Sequence, residues 1–177
     1  MKLMKTLVLA VSIATGSVSM AAAPVVAPAK KVVTVGHVKA VNTLLVAMQV
    51  EKLMRTVTGT ARFATEEQRA AAFAKLEKVP ATQIHARLAY PLASVISAET
   101  ATEMARFYNT PHGKKIVYSM YNSKASYGEP AAPAVTAAQR KDMQRPEYIK
   151  ASKELAAADN AIRHEAFLLL QSINKAK

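Results

Sequence analysis

Nine residues, Phe107-Tyr108-Asn109-Thr110-Pro111-His112-Gly113-Lys114-Lys115, constrain this chain more than any other stretch. Two apolar helical patterns meet there through a short junction with specific chemistry. Ala101, Met104, Ala105 and Tyr108 recur at the spacing of one helix face, and Ile116, Val117, Met120 and Tyr121 begin another. Thr110 suits a cap, because its hydroxyl can take a free backbone N–H. Pro111 suits the first helical position, where a missing N–H costs nothing. Gly113 lets two helices approach closely, and Phe107 and Tyr108 supply packing. The junction therefore reads as a packing joint. The N–H groups of a helix start, with Lys114 and Lys115 beside them, form a candidate anion contact, which the packing reading makes unnecessary.

Composition extends the helical reading. There are 5 glycines among 177 residues, 51% of the chain is hydrophobic and 20% is charged, enough for a packed core. The absence of cysteine excludes disulfides, thiolate catalysis and zinc–cysteine sites. The spacing predicts one all-α domain over residues 37–177, a bundle of about five to seven helices. Residues 1–21 carry the pattern of a signal peptide: Lys2 and Lys5, an apolar run from Leu7 to Val11, then Ser19-Met20-Ala21 as a cleavage site. Export is expected, to the periplasm, with cleavage after Ala21. The apolar run is interrupted by Ser12, Thr15, Gly16 and Ser17 and falls short of the roughly 20 residues a retained anchor needs. Residues 22–36, with Pro24, Pro28, Lys30 and Lys31, read as a flexible tether.

Within the domain, Val38, Val41, Leu45 and Met48 mark one stripe, while Val46, Val50, Leu53 and Val57 mark a second on the same expected helix. Thr65 opens the next helix, which runs to Val79-Pro80. Another starts near Thr82 and holds Pro91 in its interior, where a kink or break is expected. Ser97 caps the helix that ends at the junction. Tyr127-Gly128-Glu129-Pro130-Ala131-Ala132-Pro133 reads as a linker, and Thr136 caps a short segment that Pro146 interrupts. Glu147 to Asn174 reads as one long helix with Leu155, Ala158, Ile162, Leu169 and Ile173 on its stripe. Ser97…Met104-Ala105-Arg106 and Thr136…Met143-Gln144-Arg145 share a cap, a methionine and an arginine at the same spacing. Duplication and coincidence both account for that echo.

Ser97-Ala98-Glu99…Met104-Ala105-Arg106 together with Phe107 to Lys115 resembles the core motif of a bacterial exported family, the domain of unknown function 2059 family. His37-Val38…Leu44-Leu45…Met48…Glu51-Lys52 is similar to that family's first helix. The resemblance covers about residues 37–125. It implies an all-α domain behind a signal peptide and brings no catalytic residues.

The remaining chemistry is sparse. His37, His85, His112 and His164 are not paired at helical spacing and read as isolated surface imidazoles, so no metal site is expected. Met48, Met54, Met104, Met120 and Met143 suit core filling better than copper binding. Ser97, Ser119 and Ser123 lack the setting of a nucleophile, and Glu66-Glu67 suits a helix start. No catalytic residue and no cofactor is expected. Removing Lys2 and Lys5 takes the 24 basic residues to 22 against 12 acidic ones, a net charge of +10. Export argues against nucleic acid and leaves an envelope protein, anionic lipid or an anionic envelope polymer as the partner. Arg140, Lys141, Arg145, Lys150 and Lys153 form a basic strip with Tyr148 among them. It is a candidate anion or partner contact, and a merely solvated face is the favoured reading. The leading expectation is a non-catalytic interaction or structural module of the cell envelope. The alternatives are an electrostatic binder of anionic lipid or polymer, and an enzyme whose site is assembled from separated helices.

Overall fold

A computed structural model describes residues 33–122 and 135–175; the leader, the tether up to residue 32 and the linker at Tyr127 lie outside the described residues. Thr34 caps the first helix by accepting a hydrogen bond from the His37 N–H at 3.2 Å. That helix, α1 (Val35–Ala47), thus begins two residues before His37 and takes in Val35 and Gly36. It is followed by α2 (Val50–Thr60), α3 (Glu66–Glu77), α4 (Ala81–Ala93), α5 (Ala98–Tyr108) and α6 (Pro111–Asn122). After the linker come α7 (Ala137–Met143), α8 (Pro146–Ala157) and α9 (Asp159–Lys175). The described residues are all-α, with nine helices rather than five to seven.

Two breaks account for most of the excess. The expected helix with two stripes is α1 and α2, separated at Gln49, whose φ of 52° is left-handed. A left-handed residue with a Cβ costs about 1–2 kcal/mol. The rotation there lets Val41, Leu44 and Leu45 of α1 and Val50, Met54 and Val57 of α2 all reach the core. Val46, assigned to the second stripe, is instead 50% exposed. The expected long last helix is also two, α8 and α9, meeting at Ala158. Asp159 stands in the first turn of α9, where its charge favours the helix dipole. The stripe survives the break: Leu155, Ala158, Ile162, Leu169 and Ile173 are all buried. Pro91 neither ends nor interrupts its helix. It falls in the last turn of α4, and the chain leaves the helix two residues later.

The core forms because α5 is surrounded. It packs against α1, α8 and α6, while α9 crosses α2, α3 and α4. Ala101, Met104 and Ala105 of α5 are all buried in the core it shares with these neighbours. Glu154 of α8 then fastens the start of α5. Its carboxylate accepts from the Ser97 N–H at 2.7 Å, the Ser97 hydroxyl at 2.9 Å and the Thr100 hydroxyl at 2.7 Å. Helix starts leave polar groups short of partners, which is why one carboxylate can hold two helices in register. No described helix is long and apolar enough to cross a membrane.

Candidate functional site

Local chemistry fixes the junction between α5 and α6. Thr110 Oγ1 accepts from the Gly113 N–H at 3.0 Å and donates to the Phe107 carbonyl at 2.7 Å. Pro111 is the first residue of α6. Gly113 is where the helices touch. A Cβ there would overlap the Phe107 carbonyl oxygen and sit 2.6 Å from the Tyr108 Cα, so no larger residue fits without moving backbone. Phe107 is buried, with its ring edge-on to Tyr108 at 5.5 Å and tilted against Tyr148 of α8 at 4.7 Å. Farther along α6, Tyr121 shares one opening with Tyr108 and Tyr148.

That opening is a cleft of about 430 Å³ between the ends of α1, α2, α5, α6, α8 and α9, within the size range of small-molecule sites. Leu53, Met104, Leu155 and Ile162 are buried beneath it. Three phenols, Tyr108, Tyr121 and Tyr148, stand on its walls with Ser152, Asp159 and Arg163. Burial, with a smaller contribution from Tyr148, pushes the Tyr108 phenol up to about 12. Burial and the nearby Glu51 carboxylate push Tyr121 to about 12, against the opposing pull of Arg163. Tyr148 is raised by burial and then by Asp142 and Glu103. All three therefore stay protonated at neutral pH and can donate hydrogen bonds. Among the described residues their hydroxyls take no hydrogen-bond partner. A cleft holding several groups with shifted protonation is a candidate site, and here burial is the main cause of each shift.

A wider groove of about 550 Å³ lies between α5 and α8, with Glu99, Glu103, Glu147 and Lys150 on its walls. Glu103, however, is already engaged. It accepts from Arg106 at 2.8 Å and also from Arg145. Both arginines also bind Asp142, at 2.9 Å each. Burial pushes the Asp142 carboxyl up, but Arg106 and Arg145 together outweigh it and hold it below the usual carboxylate range. No group of three or more His, Asp or Glu side chains suited to a metal occurs among the described residues.

The basic residues separate into two kinds. Lys114, Lys115, Arg140, Lys141, Lys150 and Lys153 are exposed on α6, α7 and α8. Arg145 is not available in the same way, since it bridges Glu103, Asp142 and Glu147. Runs of basic letters conceal such pairings because Glu103, for one, comes from another helix.

The histidines depart furthest from expectation. His37, His85 and His112 are buried, and only His164 is exposed among the four. His37 Nε2 donates to the Ile96 carbonyl at 2.7 Å, tying α1 to the turn before α5. His85 Nε2 donates to Glu51 Oε2 at 2.8 Å, leaving its buried Nδ1 without a partner. His112 lies edge-on to Phe107 at 6.1 Å. Each occupies an apolar stripe position that period counting reserves for hydrophobic residues.

Sequence reasoning picks out Tyr108 as a packing group and Tyr148 as part of the basic strip, and passes over the cleft they share with Tyr121. The available signal was two aromatic residues, Tyr108 and Tyr121, on adjoining helices, with Met48, Met104 and Met120 on neighbouring stripes. No family model matches the chain, and neither the curated proteins nor the solved structures give a match.

Proposed function

We propose that this chain is an exported, periplasmic helical module of the cell envelope that acts by binding a partner without transforming it, and that the tyrosine-lined cleft is where it binds. The signal-peptide pattern over residues 1–21 supports export, and the resemblance of Ser97 to Lys115 to an exported bacterial family supports the same assignment. One observation carries the binding reading. The cleft presents three neutral phenols over an apolar floor. Phenols held well above neutrality are poor bases and weak acids at physiological pH, and they are good fixed donors.

The test is retention of envelope components from a solubilised extract by wild-type protein and by Ala156→Trp. Ala156 is an exposed residue of α8 on the lip of the cleft, so the indole obstructs the opening without entering the core. A component retained by wild type and lost by Ala156→Trp supports the reading; equal retention by both contradicts it.

A second reading, electrostatic attachment to anionic lipid or polymer, draws on the exposed Lys114, Lys115, Arg140, Lys141, Lys150 and Lys153. Binding of that kind falls steeply as salt shortens the Debye length from roughly 30 Å at 0.01 M to 8 Å at 0.15 M. Liposome association that survives this change sets the electrostatic reading aside.

A further inference from the structure

We propose that the cleft takes an uncharged amphiphile: an acyl or similar apolar chain lying on Leu53, Met104, Leu155 and Ile162, with an ester, amide or hydroxyl head held by the hydroxyls of Tyr108, Tyr121 and Tyr148. This rests on the cleft being the binding site and adds the class of ligand.

The apolar part is set by the floor. Its four residues are aliphatic or thioether side chains, and Met48 and Met120 stand at the sides, Met120 being 54% exposed. Methionine walls adapt to a flexible chain because three rotatable bonds separate the backbone from the terminal methyl. The uncharged head is set by the charges on the lining, Asp159 and Arg163, which bind each other and leave the walls with no net charge. Arg163 Nε donates to Asp159 at 2.8 Å, and His85 donates to Glu51 at 2.8 Å. Farther along, Glu103 and Asp142 are held by Arg106 and Arg145. A carboxylate head would have to compete with Asp159 for Arg163, and a quaternary ammonium with Arg163 for Asp159. Either would have to leave water without gaining an unmatched counter-charge, which is costly in a partly buried site. The groups left over are three phenol hydroxyls, each able to donate one hydrogen bond and accept others. They fit carbonyl and hydroxyl oxygens, and a head of that kind brings no charge to be buried.

Calorimetric titration with three probes of one chain length separates the possibilities: monodecanoylglycerol, decanoate and decyltrimethylammonium, each below its micelle concentration. The neutral probe is expected to bind at least about tenfold more tightly than either charged one, and Tyr121→Phe to weaken it about two- to tenfold, the loss of one hydrogen bond. Ala156→Trp should abolish binding, and unchanged melting of both variants shows that neither has simply unfolded. Equal binding of all three heads, a charged head preferred, or no effect of Tyr121→Phe overturns the assignment of the head. Binding that persists in Ala156→Trp overturns the location. Failure of every probe to bind overturns the ligand class. If Ala156→Trp then still loses an envelope component, the cleft stands as a site for something else, such as a peptide; if it loses nothing, both readings fall together.

Discussion

Helices α5 and α7 begin alike and end in different surroundings. Each is capped by a hydroxyl, Ser97 or Thr136, accepting from the backbone three residues on, at 3.3 Å in both. Each cap is then followed by an acid, a methionine and an arginine at matching places: Glu103, Met104 and Arg106 after one, Asp142, Met143 and Arg145 after the other. The two sets even bind each other. Each arginine bonds the acid three residues before it and the acid of the other set. Yet α5 buries Thr100, Ala101, Met104, Ala105, Phe107 and Tyr108, whereas α7 buries nothing. Start chemistry and charge pairing are local properties. Burial depends on the elements that the rest of the chain brings up, and it brings α1, α6 and α8 to α5.

The largest test of this contrast is at the far end of α5. Gly113→Leu forces side-chain atoms into the Phe107 and Tyr108 backbone and should cost more than about 4 kcal/mol, the range reserved for severe overpacking. Thermal melting reads it directly, and a melting temperature near wild type would mean the two helices are not in contact there. The paired methionines come next. Met104, 2% exposed, should cost about 2–5 kcal/mol when cut to alanine, and the half-buried Met143 less than about 1 kcal/mol, by the usual cavity arithmetic. Urea midpoints that fail to separate the two would dissolve the contrast. The caps give the smallest effect. Thr136→Ala should cost about 0.5–1 kcal/mol. Ser97→Ala should cost more, since it also removes a donor from the Glu154 carboxylate.

The same distinction explains how much could be read from the letters. Caps at Ser97, Thr110 and Thr136 were legible because the residue that caps and the N–H it takes lie three apart. The stripes through Leu45, Leu88 and Leu169 were legible from period alone. Gln49 was not, because a left-handed turn made by a residue other than glycine leaves no local mark and is enforced by packing on both sides. The join at Ala158 was hidden for a similar reason, since alanine is a strong helix former. His37, His85 and His112 were misjudged because their acceptors or ring partner had to be known before burial made sense; Ile96 and Glu51 stand far from the first two in sequence. The cleft was the hardest to see. Its members come from five helices and the C-cap of α1, and no short spacing connects Leu53 with Tyr121, Tyr148 and Arg163.

Alkaline spectrophotometric titration of the phenols reaches the cleft most directly. Tyr108 and Tyr121 are raised from the ordinary 10.0 to about 12. A folded phenol that binds its proton more tightly than the unfolded one adds stability that is whole below pH 10 and is lost as pH climbs toward 12. For Tyr108 that amounts to about 3 kcal/mol. Late ionisation of Tyr108 and Tyr121, and a smaller delay at Tyr148, are expected in the native protein, with Tyr108→Phe removing one late step and flattening the fall in stability between pH 10 and 12. If every phenol ionised together near pH 10 while the chain remained folded, the cleft would be open to water, and the binding site built on it would have no basis.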